Sequence, residues 1–138
     1  MTELELRVAA TSATFDRFNG KPFVLGSTDC ARMVAFHLAQ MGFKTSLLKS
    51  GLYSTEVGAR RALRNLGVGS LSELMDRHFP RWDSPAEARI GDVLCAPGIG
   101  GTGDAMAIRM HRQNALGFLD GACGEVVINE YVAAWRVV

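Results

Sequence analysis

An α+β domain is predicted by three observations. Helix-capping signals crowd the first 80 residues, short apolar runs between turn residues fill the remainder, and the chain is too short for two cores. A single domain over 1–138 is expected, since surface scaling at this length lets roughly two-thirds of the unfolded chain's accessible area be buried. Thr2 with Glu5 fits a capping box, and Leu4, Val8, Phe15 and Phe18 fall near one helical stripe, which predicts a helix over 3–18 ending at Asn19-Gly20. An extended stretch over 21–26 then leads through Ser27-Thr28-Asp29-Cys30 into 31–41, apolar on nearly every side and so expected to be a buried, central helix. Ser54 is a cap for a third helix, with Val57, Ala62, Leu63 and Leu66 opposite Arg60, Arg61 and Arg64 and a stop at Gly67. Ser70 with Glu73 opens a fourth, carrying Leu71, Leu74, Met75 and Phe79 to Pro80. Runs at 91–96, 105–110, 115–119 and 125–128 read as an antiparallel meander closed by 135–138. The run at 105–110 is rich in Ala and Met, so only its brevity and setting argue for a strand.

Composition narrows the function. Hydrophobic residues at 48% and charged ones at 21% describe a globular chain, not a disordered one. Lys plus Arg number 15 against 14 for Asp plus Glu, and a formal charge of +1 argues against a protein held to nucleic acid mainly by counterion release. Cys30, Cys95 and Cys123 are an odd number at wide spacing, with no His at ligand spacing from any pair, so neither a disulfide framework nor a zinc site is expected. No metal or cofactor is implied. No apolar run approaches the ~20 residues of a membrane span, and the charged N-terminus is no secretion signal, so a chain made and kept reduced in a cytosol is expected.

The sharpest chemical feature is Asp29-Cys30 at the head of the buried helix. With Thr28 or Asp29 as N-cap, Cys30 sits where unpaired backbone N–H groups and the helix dipole favour a thiolate; the plainer reading is a small buried hydrophobe. A nucleophilic cysteine needs a base in contact. His37 shares the face of Cys30, but seven residues of helical rise separate their Cα atoms by roughly 10.5 Å, so a hydrogen-bonded core histidine is expected. His78 closes the fourth helix and favours its negative end, while His111 falls in the polar turn Arg109-Met-His-Arg-Gln-Asn114. Gly98-Ile-Gly-Gly-Thr-Gly103 matches G-x-G-x-x-G but lacks the βαβ context and the lysine of a phosphate loop, so it reads as a connecting loop. Trp82 and Trp135 read as anchors in a core or interface.

Pro22-Phe23-Val24-Leu25-Gly26-Ser27-Thr28-Asp29-Cys30, then helices, then Gly91-Asp-Val-Leu-Cys-Ala96 and a closing Ala134-Trp135-Arg136-Val137, resembles the NlpC-type cell-wall cysteine peptidases, papain-like α+β domains. It is more closely similar to a short phage and prophage branch found among tail-tip genes. The resemblance covers about residues 15 to 138 and implies Cys30 as nucleophile. It implies a His opening the second strand, where this chain has Ala105 beside Asp104, and a third polar group near Leu116 to Phe118, where none stands. Loss of a general base typically costs at least ~100-fold in rate. The expectation is a catalytically degenerate NlpC-like component of a virion tail tip or baseplate, made in the host cytoplasm and packing against other tail proteins. Peptidoglycan is its candidate ligand, and neither nucleic acid nor membrane insertion is expected. The alternative is an active cell-wall endopeptidase with Cys30 as nucleophile and His111 or His37 as an unconventional base.

Overall fold

Thr2 accepts the Glu5 N–H through Oγ1 at 3.1 Å and opens α1 (Glu3–Phe18). The computed structural model describes residues 1–25, 27–43, 56–97, 104–111, 113–127 and 130–137. Asp29 caps α2 (Cys30–Gln40) by accepting the Arg32 N–H at 2.8 Å. α3 (Glu56–Asn65) ends before Gly67, whose φ of +80° suits a residue without Cβ. The Ser54 cap lies outside the described residues. Ser70 opens α4 (Leu71–His78), accepting the Glu73 N–H at 3.1 Å, while the Glu73 carboxylate reaches back to the Gly69 N–H at 2.8 Å.

Five strands follow: β1 (Val93–Pro97), β2 (Asp104–Arg109), β3 (Asn114–Leu119), β4 (Ala122–Val127) and β5 (Ala133–Trp135). All pairings are antiparallel and the spatial order is β4-β3-β2-β1-β5. The first four form the expected meander, but β5 returns across it to pair with the outer side of β1, matching Val93 with Trp135. β4 also begins earlier than its apolar run, because its small residues pair fully with β3, Cys123 opposite Phe118. Both edges are covered by extended chain: Phe23 N–H donates to Gly121 beside β4, and Trp82 N–H to Ala134 beside β5.

Strand alternation sorts the core into two clusters. Val93, Cys95, Met106, Ile108, Leu116 and Trp135 face the helices and pack with Met33, Leu38, Leu74 and Phe79. Leu94, Ala107, Ala115 and Ala134 face the other way, against Ala88, Trp82 and Tyr131. This clean alternation is why the Ala- and Met-rich run became a strand: tertiary burial on two faces overrides local preference.

The stripe expected for α1 is buried at its end and not at its start: Phe18 is in the core and Phe15 packs against it. Leu4 and Val8 are 62% and 43% exposed, and Val57 of α3 is exposed as well. The face of α1 turned inward carries Arg7, Ala10, Thr11, Thr14 and Phe18. Small and polar side chains fill it because α2 lies close and because a buried acid and a buried imidazole wait there. Arg7 Nη1 donates to Asp92 Oδ1 at 2.8 Å and to the Ile90 carbonyl at 2.9 Å, and Nη2 donates to the Val137 carbonyl. Asp92 is fully satisfied: it also accepts from Trp82 Nε1 at 2.8 Å, Arg89 N at 2.9 Å and Val137 N at 3.0 Å. One carboxylate thus ties α1, the segment before β1 and the end of the chain.

Candidate functional site: the Cys30 helix start

Cys30 is the first residue of α2 and partly buried; with Met33, Val34, His37 and Leu38 it lies on the stripe facing the sheet. The backbone N–H of Met106 in β2 faces its sulfur, and the N–H groups of Cys30 and Ala31 at the open end of the helix lie near it too. These donors favour the thiolate, but they lose. Burial, the largest influence, pushes the thiol above its ordinary value, and the Asp29 carboxylate beside it pushes the same way. The surroundings of the helix start therefore favour the protonated thiol, where the sequence pattern alone suggested either a thiolate or a packed hydrophobe.

No imidazole is among the groups that act on this sulfur. His37 is buried and fixed elsewhere: Nε2 donates to the Gly91 carbonyl at 2.8 Å, and Nδ1 stands 3.1 Å from Thr14 Oγ1. Burial pushes its pKa below the ordinary value, which favours the neutral ring; Nε2 carries its proton toward Gly91, while the Thr14 hydroxyl donates to the Ala10 carbonyl at 2.8 Å and that carbonyl also faces the imidazole. The expected hydrogen-bonded core histidine is what is found, both ring nitrogens engaged away from the sulfur. His111 is exposed in the turn after β2, and β2 carries the chain away from Met106, so five residues of extension set it on the order of 15 Å further along. His78 is exposed at the end of α4, its ring 6.2 Å from that of Phe79.

Ala105 pairs with Ala96 of β1 and shares the outer face of the sheet with Ala107. What β2 offers the sulfur is thus backbone, and residue 105 supplies no titratable group. Leu116 to Phe118 adds none. The loop Gly98-Ile-Gly-Gly-Thr-Gly103 lies outside the described residues. Cys95 and Cys123 are buried thiols in no disulfide, and dehydration pushes Cys123 up to about 11. Among the described residues no cluster of three or more His, Cys, Asp or Glu could hold a metal ion. No helix among them is long and apolar enough to cross a membrane.

Gly91-Asp92 has a structural role that sequence reading did not assign. Gly91 takes φ +87°, and a Cβ there would sit 3.3 Å from Arg7 Cβ. Its carbonyl receives the His37 proton while Asp92 receives Arg7, so the dipeptide seats the end of α1 against α2 and β1. The available signal was the spacing of Arg7 from Ala10, Thr11, Thr14 and Phe18, a helical stripe of small residues led by a cation. Trp135 is also an anchor: Nε1 donates to Asp76 Oδ1 at 2.9 Å and the Arg81 guanidinium lies 5.3 Å from its ring. The Arg81 hydrogen bond holds the Asp76 carboxyl below the usual range.

Fold and site together define an α+β domain with a cysteine at the start of its buried helix, its sulfur met by backbone and an acid. Within that class, the chain belongs to the family described as a domain of unknown function, DUF6950, which matches residues 4–137. No curated protein matches it.

Proposed function

We propose that this chain is a catalytically degenerate NlpC-like domain that serves as a structural component of a phage or prophage tail tip. The observation that carries the degenerate reading is the company of the Cys30 sulfur: the Met106 N–H, the N–H groups of the helix start and the Asp29 carboxylate, with a thiol shifted toward protonation. A peptidase of this chemistry needs an imidazole in contact with the thiol to take its proton and return it to the leaving amine. The tail-tip assignment is supported by the resemblance of Pro22-Phe23…Asp29-Cys30 and Ala134-Trp135-Arg136-Val137 to that branch. The order of helices before an antiparallel sheet is compatible with it.

Incubating the purified protein with peptidoglycan stem peptides tests the catalytic half, and mass spectrometry is expected to find no cleavage. For the other half, a phage or prophage carrying Cys30→Ala is expected to assemble intact tails and remain infectious. Stem-peptide cleavage abolished by Cys30→Ala would establish the active cell-wall hydrolase instead. Absence of the protein from purified virions would overturn the tail-tip assignment.

A further inference from the structure

The face of α2 turned away from the thiol borders a cavity of about 620 Å³, partly open to solvent. Its rim holds the cations Arg17, Lys21 and Arg32 and the hydroxyls of Ser27 and Thr28; its floor is Phe18, Ala35, Phe36 and Ala39. No acidic side chain is among these lining residues. We propose that this cavity binds a small organic anion, with a carboxylate, phosphate or sulfonate at the rim and an apolar body on the two rings.

The charge distribution carries the proposal. The whole chain has a formal charge of only +1, yet three cations from α1, the following turn and α2 converge on one concavity. Concave walls of low dielectric focus such a field, so an anion gains more here than on an open basic surface. The volume falls within the ~300–1,000 Å³ typical of small-molecule sites, which pair an apolar lining with a few polar groups. Two rim elements are already held in place. The Arg17 guanidinium lies 5.2 Å from the Phe36 ring centroid, which orients its planar fork without neutralising it. Ser27 and Thr28 are held by backbone, both N–H groups donating to the Val24 carbonyl, and Thr28 Oγ1 donates to the Pro22 carbonyl at 2.5 Å. A carboxylate or phosphate fits the Arg17 guanidinium because its fork offers parallel N–H donors to two oxygens. The phenyl rings beneath would receive whatever apolar portion the anion carries.

The site is independent of the tail-tip reading, since it lies on the opposite face of α2 from Cys30 and uses none of the groups around the sulfur. Anilinonaphthalene sulfonate, an aromatic sulfonate, is the probe, and phenylnaphthylamine its uncharged counterpart. Fluorescence titration of the full chain is expected to show one site for the sulfonate, weakened by added salt. Arg17→Glu combined with Lys21→Glu is expected to raise its dissociation constant at least ~10-fold, since charged hydrogen bonds contribute of that order. Both substitutions are at exposed positions; should that pair unfold the chain by circular dichroism, Arg17→Gln with Lys21→Gln decides. Equal binding of phenylnaphthylamine, binding unchanged in a folded variant, or no binding of the sulfonate at millimolar concentration would each overturn the proposal.

Discussion

Replacing Asp92 by Asn should come close to unfolding the protein. The carboxylate is wholly buried and four donors converge on it: Arg7 Nη1, Trp82 Nε1 and the N–H groups of Arg89 and Val137. An amide keeps one acceptor oxygen but turns an NH₂ toward donors, and it leaves the buried Arg7 guanidinium with only the exposed Glu3 carboxylate, 3.2 Å from Nε, as counter-charge. Breaking a buried ion pair by removing one partner costs about 3–5 kcal/mol. Each stranded buried N–H adds about 1–3 kcal/mol, less whatever relaxation recovers. A loss of at least about 3 kcal/mol is therefore expected, a large share of the ~5–15 kcal/mol that holds a domain together. Urea unfolding followed by tryptophan fluorescence measures it, and the double replacement Arg7→Met with Asp92→Leu isolates the pair. Because the double variant buries no orphaned charge, it should be less destabilised than the sum of its single changes by at least ~2 kcal/mol. A loss under about 1 kcal/mol for Asp92→Asn, or strict additivity in the cycle, would refute the role assigned to this carboxylate.

Three further outcomes follow from the same geometry. His37 is neutral in the fold, with its pKa below the ordinary 6.5, so the unfolded chain binds the extra proton first. Stability is therefore full above pH 6.5 and lost as the pH falls through 6.5 toward the folded value; urea midpoints between pH 8 and 5 should show this, and His37→Gln should remove much of the slope. Gly91→Ala forces a side chain into φ +87° and against Arg7, and should cost about 1–3 kcal/mol, read as a lowered Tm. Leu4→Glu with Val8→Glu should change stability by no more than about 0.5 kcal/mol per site, while Thr14→Val, which strips His37 of its hydroxyl partner, should cost more by the same assay.

The contrast between Leu4 and Arg7 shows where the sequence was legible. Caps and stops act locally, so Thr2, Asp29, Ser70 and Gly67 marked helix ends that the structure keeps. The buried face of α1 is a tertiary fact. Polarity pointed to Leu4 and Val8, but a cation whose burying partners lie 83 to 130 residues away, beside an ordinary surface-type pair with Glu3, cannot be recognised as buried from its own neighbourhood. The return of β5 to the side of β1 was hidden for the same reason, since a three-residue strand carries no statement of its neighbour. At the site, the helix start and its cap were readable from Asp29-Cys30. The protonation of the thiol was not, because it depends on how closely Met106 and the sheet exclude water. The cavity cations Arg17, Lys21 and Arg32 left no motif at all, being gathered by the turn between α1 and α2.

The most direct measurement is the rate of Cys30 alkylation by iodoacetamide as a function of pH, with peptide mass mapping to separate it from buried Cys95 and Cys123. A rate no faster than a free thiol at neutral pH, rising only on the alkaline side of an ordinary cysteine, is what a dehydrated sulfur beside Asp29 requires. A fast reaction with an inflection below pH 7, abolished by replacing one of His37, His78 or His111, would contradict it and return the protein to the cysteine hydrolases.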